Sequence, residues 1–388
     1  MVKQFNAGKK STTTKNPILK ELHGIQKTIK AFDKRINGFN AGIERMAQWE
    51  NYRGFHKKLK ALVQVSNDKD KKKYSMFQPN VLHDKVTLDS KTHYKVIILV
   101  TSFAKHFERR QWIRKAWGNQ TFWNKREENW QVIFNVGDAE SKEVQQKVLD
   151  ESNKYGDLLI LDVPEDFYKL SEKIMAAMYW VYTKFSFEFA VKTDDDVFIH
   201  IQRLFKNLNT IWSDGDYIGY AQKNAKVLRG KSRYGVSHEE WPGKFYDPYC
   251  SGGGYVISHF MIERIIPHFN WEDPLKMEDA YIGHMVKLAG GEVYSDHGRF
   301  LMTNENLRYS PNFVVTHPIK TPEFREFVET KAALEMGHLK THEVQNFNSV
   351  KAYREYKKKK KASLKTTRKT PKKSSKTTPK PAKKQTKV

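Results

Sequence analysis

Residues 189–200 read Phe189-Ala190-Val191-Lys192-Thr193-Asp194-Asp195-Asp196-Val197-Phe198-Ile199-His200, which places three consecutive carboxylates between two apolar segments. Carboxylates at the end of a buried strand are costly unless a positive charge neutralises them. Because side chains alternate along an extended segment, Asp194 and Asp196 are expected on one side and Asp195 on the other. Carboxylate oxygens on one side suit a hard divalent cation that keeps positions open for phosphate oxygens. A solvated acidic turn is the alternative interpretation.

Strand and helix patterns alternate on the N-terminal side of this stretch. Short runs rich in β-branched and aromatic residues predict strands, and amphipathic runs predict helices. The predicted strands are 95–100, 130–136, 158–161 and 189–192, and the predicted helices are 109–117, 142–155 and 170–185. This alternation indicates an α/β domain with a mostly parallel central sheet flanked by helices, in which ligands bind at the carboxyl ends of the strands.

The composition excludes several classes of protein. The chain has 388 residues, is 39% hydrophobic and carries a formal net charge of +25. Such a chain can bury a large core, so the composition argues against disorder along its whole length. With Cys250 as its single cysteine, the sequence cannot form an intramolecular disulfide or an all-thiolate zinc site. No apolar run approaches the ~20 residues of a membrane span, and none matches a signal peptide.

The positive charge belongs to the two ends of the chain. Residues 357–388 contain 15 Lys and Arg and no acid, whereas residues 96–356 contain 33 bases and 36 acids. The sequence therefore predicts a basic, stem-like, partly helical extension over 1–90, with helices in 18–65 that self-associate. A catalytic domain is predicted over 91–330, and a C-terminal helix with a disordered Lys-rich tail over 331–388. Lysine runs of this kind bind polyanions generically.

Five segments, in order along residues 95–320, resemble motifs of the β-1,3-glycosyltransferases, the galactosyltransferase family that includes N-acetylglucosaminyl members. The first segment carries Arg-Arg, Ile-Arg and Trp-Gly pairs, and the second is a block that ends in Lys173. The other three segments read Lys-Thr-Asp-Asp-Asp-Val-Phe, Tyr-Cys-Ser-Gly-Gly-Gly-Tyr and Glu-Asp-Ala-Tyr-Ile-Gly. Each motif alone is weak, but five in the right order are specific. The chain departs from the family pattern at Ala280, where valine is usual, and at Asp247, where proline is usual. The residues at 163, 165, 167, 169 and 171 also differ from the commoner ones.

The resemblance implies a GT-A-type nucleotide-sugar-binding fold and an inverting, Mn²⁺-dependent transfer of galactose or N-acetylglucosamine from a UDP-sugar to a glycan hydroxyl. It implies Asp194, Asp196 and His317 as metal ligands, and Asp279 as the general base. His317 alone is otherwise an ordinary surface or core histidine. Glu278 and Asp279 alternatively cap a helix over 280–288, and capping is compatible with catalysis.

Further candidates are assigned to the two substrates. Arg110 and Arg114 lie four residues apart on one helical face, so they hold either the diphosphate or a carboxylate of the fold. The glycines at 252–254 allow the backbone to approach a ligand closely, or form a flexible turn. The predicted donor-binding residues are Ser102, Arg110, Arg114, Lys173 and Asp195. The predicted sugar- or acceptor-binding residues are Tyr249, Gly253, Gly254 and Glu278.

A second hypothesis concerns the basic ends rather than the acidic cluster. It describes a polyanion- or nucleic-acid-binding protein with an inactive transferase-like core. The presence of all three aspartates and of Glu278 and Asp279 argues against inactivity. The family resemblance favours the Golgi lumen as the location, although no anchor or signal is visible. A soluble intracellular protein is the alternative.

Overall fold

A computed structural model describes residues 81–123, 129–212, 216–302, 309–339, 347 and 349–367. The strands within these residues are β1 (Val81–Asp84), β2 (His93–Thr101), β3 (Trp130–Asp138), β4 (Leu158–Pro164), β5 (Ser186–Asp194), β6 (Phe198–Ile199), β7 (Tyr217–Gln222), β8 (Tyr249–Ser258), β9 (Val293–Ser295), β10 (Phe300–Leu301) and β11 (Val315–Thr316). The helices are α1 (Phe107–Lys115), α2 (Gln120–Trp123), α3 (Lys142–Tyr155), α4 (Leu170–Lys184), α5 (Ile201–Leu208), α6 (His259–Ile265), α7 (Glu278–Leu288), α8 (Pro322–Glu335) and α9 (Val350–Thr367). Short 3₁₀ turns occupy Phe167–Lys169 and Ile266–His268.

Eight of the described strands form a mixed central sheet in the order β1-β4-β3-β2-β5-β8-β7-β9. The four central strands β4, β3, β2 and β5 are parallel to one another. Strand β8 is antiparallel to β5, with Gly254 opposite Thr193, so its first residues lie at the edge where β5 ends. The predicted α/β architecture is confirmed. This edge of the sheet is where the site residues meet.

Helices cover both faces of the sheet, as the residues of β2 show. Val96, Ile98 and Val100 belong to one hydrophobic core cluster, and Ile97 and Leu99 belong to another. All five are fully buried because successive side chains of a strand point to opposite faces. This double burial explains why the strand is a continuous apolar run and does not alternate with polar residues.

Local sequence sets the limits of the helices. Helix α3 begins after Ser141, whose side chain accepts a hydrogen bond from the Val144 amide, and ends at Gly156 with φ +62°. A cap acceptor and a left-handed glycine are the expected signals at these two positions. Helix α8 begins in the same manner after Thr321, with proline at its first position. The caps explain why the predicted and observed limits of α3 agree.

The ends of the domain differ from the predicted boundaries at 90 and 330. Strand β1 pairs with β4 inside the segment predicted as an extension, so the sheet begins before residue 91. Helix α8 crosses residue 330, and its Phe324 and Phe327 are buried in the core. Within 331–388, where a C-terminal helix was predicted ahead of the Lys-rich tail, α9 runs from Val350 to Thr367. Its first turns pack on the core through Val350 and Tyr353, which fixes the start of the helix.

The helices predicted in 18–65, and their self-association, lie outside the described residues. Across the part of the chain that the structure describes, none of the helices combines the length and the apolar character needed to cross a membrane.

Candidate metal centre and active site

The aspartate triplet lies where β5 leaves the sheet, beside the end of β2. Residues Thr101 and Asp194 are paired across these two parallel strands, so Ser102 is brought next to the triplet. The Asp195 side chain turns towards β2, where its carboxylate accepts a hydrogen bond from Ser102 Oγ at 2.8 Å. Asp194 and Asp196 face the other way, towards His317. The alternation expected from the sequence is therefore present.

The ligand atoms of Asp194, Asp196 and His317 all lie within 4.8 Å of one another. His317 reaches this position because β11 pairs with β6, which follows the triplet directly. Its Nε2 is 3.4 Å from Asp196 Oδ1, and its Nδ1 is 3.4 Å from the Met302 carbonyl oxygen. A carbonyl at Nδ1 favours the tautomer whose Nε2 lone pair is free for a metal ion. The three residues predicted as metal ligands are thus brought together.

Asp196 and His317 stabilise each other in their charged forms, a carboxylate and an imidazolium. Burial opposes ionisation of Asp196, but the hydrogen bond and charge of His317, together with Arg109, lower the pKa of Asp196. Burial likewise opposes protonation of His317, but Asp196 outweighs it and raises the pKa of His317. A divalent cation would replace the imidazolium proton as the partner of the two carboxylates. Two carboxylates and one imidazole are a donor set that divalent manganese or magnesium accepts.

Asp195 is held by three protein groups and does not point to the metal trio. Its carboxylate pairs with Arg109 NH1 at 2.6 Å and with His106 Nδ1 at 2.7 Å, in addition to Ser102. Burial tends to raise the pKa of Asp195, but His106 and Arg109 lower it. Arg109 also lies 3.6 Å from Asp196 Oδ2, so one guanidinium serves two of the three aspartates.

Four of the five predicted donor-binding residues form one buried hydrogen-bond network. Ser102 accepts a hydrogen bond from Arg110 NH1, and its carbonyl accepts one from Lys173 Nζ. Arg110 is fully buried against Glu151, and Lys173 is paired with a second buried acid, Glu165, at 2.7 Å. The network positions Ser102 behind Asp195.

Arg110 and Arg114 hold carboxylates of the fold, which decides between the two roles predicted for them. Arg114 binds Glu151 at 2.6 Å and Asp157 at 2.8 Å, while Arg110 binds the same Glu151. Arg110 also donates to the carbonyls of residues 103 and 104, so its hydrogen-bonding groups are taken by the protein. The face of α1 that carries them is structural.

Lys192 connects the metal trio to the start of α7. Its ammonium donates to Asp194 Oδ1 at 3.0 Å, to the Gly252 carbonyl at 2.6 Å and to Glu278 Oε2 at 3.0 Å. The other oxygen of Glu278 accepts a hydrogen bond from the Tyr255 hydroxyl. Burial lowers the pKa of Lys192, but the charges of Asp194 and Glu278 outweigh it, so the net shift is upward. Burial raises the pKa of Glu278 to about 7.

Asp279 lies in the first turn of α7, next to the glycine segment of β8. Its Oδ1 accepts a hydrogen bond from the Ala280 amide at 2.9 Å, and its Oδ2 accepts one from the Gly252 amide at 3.3 Å. Burial is the main cause that raises the pKa of Asp279. The carboxylate is thereby held at the helix start and retains lone pairs for a substrate proton, so the capping and catalytic roles are compatible.

The glycines of β8 are approached by the protein's own side chains. A Cβ on Gly253 would lie 2.7 Å from His317 Cγ, and one on Gly254 would lie 2.9 Å from Val315 Cγ1. The prediction that Gly253 and Gly254 make room for a ligand therefore needs correction. The missing side chains make room for His317 and for Val315 of β11. Tyr249, in contrast, is half-buried, with its ring 6.1 Å from that of Tyr246.

Three residues at the site were not selected from the sequence, namely His106, Arg109 and Lys192. Lys192 and Arg109 stand inside the quoted motifs, and His106 and Arg109 are three apart at the start of α1, as required for one helical face. That spacing was the available signal. The contacts of His106 and Arg109 with Asp195, and of Lys192 with Glu278, join residues that are 86 to 89 positions apart along the chain, so these contacts were not readable from the sequence.

Comparisons with known proteins agree with the motifs. Residues 108–296 match the sequence model of the family described as Galactosyltransferase. The chain is 32% identical over 204 residues to the human UDP-GalNAc:beta-1,3-N-acetylgalactosaminyltransferase 1, covering 51% of this chain and 61% of the relative. It is 27% identical over 207 residues to the mouse Beta-1,3-galactosyltransferase 1, covering 52% of this chain and 63% of the relative. The match thus spans about six tenths of each relative.

Among solved structures, a glycosyltransferase involved in glycosylation of the major capsid of PBCV-1 aligns with 62% of this chain and 98% of its own. The identity is 12% and the TM-score is 0.33.

Proposed function

Because residues 108–296 match the sequence model of the family described as Galactosyltransferase, we propose that this chain transfers a hexose or N-acetylhexosamine from a UDP-sugar to a glycan hydroxyl in β-1,3 linkage. The observation that carries the proposal is the meeting of the Asp194, Asp196 and His317 trio with Asp279 at one edge of the sheet. Gly252 and Lys192 join the two halves, since Gly252 donates to Asp279 while its carbonyl accepts from Lys192.

The proposed metal site uses Asp194, Asp196 and His317, with Mn²⁺ as the cation. The trio suits a divalent cation, because its donor atoms converge and the contact of His317 Nδ1 with the Met302 carbonyl leaves Nε2 free to bind the metal. When bound, the cation would stabilise negative charge that develops on the leaving diphosphate. Arg109, with about a third of its side chain exposed, lies at the same edge as a second positive group.

Asp279 is the proposed general base of an inverting displacement. The acceptor hydroxyl gives its proton to Asp279 while its oxygen forms the new bond to the anomeric carbon. The bond from that carbon to the diphosphate oxygen breaks on the opposite face, and UDP leaves. Asp279 is half-buried, and a carboxylate whose pKa is raised by partial burial is a better base near neutral pH than an exposed one, because its pKa is closer to the working pH.

Of the residues predicted to bind the sugar or the acceptor, Tyr249 remains a candidate. Glu278 has both carboxylate oxygens bonded to Tyr255 and Lys192, so its role is to hold Lys192 rather than a sugar. The galactose and N-acetylglucosamine donors expected from the sequence are extended to N-acetylgalactosamine by the name of the human relative.

The test is a donor screen that measures UDP release and product linkage with UDP-galactose, UDP-N-acetylgalactosamine and UDP-N-acetylglucosamine. Each reaction is run with Mn²⁺, with Mg²⁺ and with EDTA. A β-1,3-linked product from one donor, lost in EDTA and restored by Mn²⁺, supports the proposal. Transfer that is unaffected by EDTA would reject the proposed requirement for a metal ion.

We also propose that the protein is located in the Golgi lumen, because of its similarity to the family. Asn119, Gln120 and Thr121 form an acceptor sequon, and Asn119 is partly exposed. A glycosidase-sensitive mass at Asn119 in the native source would support lumenal exposure.

A further inference from the structure

The segment between β7 and β8, residues 223–248, is folded onto the start of α7. Its Val227 and Val236 are buried in a small cluster with Met277 and Ala280, the residues on either side of Glu278 and Asp279. The segment therefore borders the proposed general base through packed side chains.

Hydrogen bonds hold this segment in one conformation. Arg229 donates to the carbonyl oxygens of Val236, Ser237, Trp241 and Gly243. The two arms of the segment also meet where residues 226 and 245 form an isolated β-bridge. A guanidinium that binds four carbonyls fixes the path of the backbone, so the surrounding side chains are pre-organised.

The first part of this segment, residues 223–238, is basic, whereas the second part also carries Glu239, Glu240 and Asp247. Residues 223–238 contain five Lys and Arg and no Asp or Glu, whereas residues 96–356 as a whole have a slight excess of acids. Lys223, Lys226, Lys231 and Arg233 are exposed, and within the described part of the chain none of the four has a carboxylate within 4 Å. Concentrated unpaired cations beside a catalytic cleft attract anionic ligands.

Aromatic side chains are interleaved with these cations. The Arg233 guanidinium lies 3.8 Å from the centroid of the Phe167 ring, which contacts the same small cluster. Stacking of one face leaves the edge of the guanidinium free to bind a planar or tetrahedral anion. Tyr234 beside it is 53% exposed. An exposed ring and cations together suit a charged saccharide better than a free anion.

A second polar group on this segment lies closer to Asp279. The Tyr246 hydroxyl is buried, and no hydrogen-bond partner for it is present among the described residues. Its ring is 5.6 Å from that of Trp241 and 6.1 Å from that of Tyr249. A buried hydroxyl without a partner is costly and is satisfied when a ligand supplies one.

We propose that residues 223–248 form the acceptor subsite and that the acceptor is an acidic saccharide, whose sulfate or carboxylate binds Lys231 and Arg233. The inference rests on the proposed transferase function and specifies its acceptor class. The sugar ring next to the reacting hydroxyl lies against Tyr246 and Tyr249.

The experiment compares methyl β-galactoside, its 6-sulfate and methyl β-glucuronide. Binding is measured by calorimetry on the full chain with Mn²⁺ and UDP, and transfer is measured in parallel. The charged glycosides are expected to bind about two- to thirty-fold more tightly than the neutral one, as for two exposed ion pairs. The sulfate and carboxylate arms identify the anion, and 0.5 M NaCl removes most of the preference.

The double variant Lys231→Ala with Arg233→Ala should lose this preference, so that the three glycosides bind it with similar affinities. The control, Lys115→Ala with Lys206→Ala, removes two exposed cations elsewhere and should keep the preference. Equal binding of all three glycosides, or equal loss in the control, overturns the proposal. Preferential binding without transfer from any UDP-sugar would reject the transferase function and leave the saccharide site standing.

Discussion

Replacement of Lys192 by methionine tests whether one buried ammonium stabilises both halves of the site. Methionine has a similar length and no charge, so the substitution leaves the carboxylates of Asp194 and Glu278 without their shared cation. Lys192 is buried and makes three hydrogen bonds at 2.6 to 3.0 Å. Removing one member of a buried ion pair costs about 3–5 kcal/mol, since the remaining charge stays buried. We expect a loss of this size in the free energy of unfolding, measured by urea denaturation of the metal-free protein.

The loss should depend on pH, because Glu278 titrates near neutrality. Its pKa is raised to about 7 in the folded protein from 4.5, so its contribution to stability is present below pH 4.5 and is lost as the pH rises through 7. Without Lys192 the folded pKa of Glu278 rises further. The deficit of Lys192→Met relative to wild type should therefore grow as the pH rises above 7, where Glu278 ionises in the wild type, at up to about 1.4 kcal/mol per pH unit.

A double-mutant cycle separates charge from packing. Adding Glu278→Gln to Lys192→Met removes one of the stranded charges and should recover at least ~1 kcal/mol at pH 8. A deficit below ~1 kcal/mol that is the same at pH 5 and pH 8, with no recovery in the double variant, would refute the electrostatic account.

Three further predictions concern the metal trio and the base. Asp196→Ala should leave the circular dichroism spectrum unchanged and abolish Mn²⁺-dependent UDP binding; unchanged affinity by calorimetry would reject Asp196 as a ligand. Asp279→Asn should retain donor binding and reduce transfer about 10²–10⁴-fold, the usual share of a general base, and near-normal transfer would mean that another base operates. Gly253→Ala places a Cβ 2.7 Å from His317 Cγ and should weaken Mn²⁺ binding about 10–100-fold by displacing the ring, whereas Gly298→Ala, whose Cβ meets no atom within 3.4 Å, should not.

The sequence by itself determined the α/β architecture and singled out the acidic cluster at the end of a strand. Continuous apolar runs such as Val96–Val100 require a strand that is covered on both faces, and their alternation with helices requires an α/β sheet. Asp194 ends strand β5, whereas Asp195 and Asp196 lie in the turn that follows, so the turn sets the opposite directions expected of the triplet. Local caps fixed α3, since Ser141 and Gly156 adjoin its ends. These properties are local, because each depends on neighbours within a few residues.

Only the tertiary structure decided which predicted residues face a ligand. Arg110 and Arg114 share a helical face with the pattern expected of a phosphate site, yet the fold brings Glu151 to them from α3. Gly253 was expected to admit a substrate, but β11 places His317 against it. Both outcomes depend on strand and helix pairings across tens of residues. Nothing in the local spacing encodes such pairings, so burial and charge pairing had to be observed in the fold.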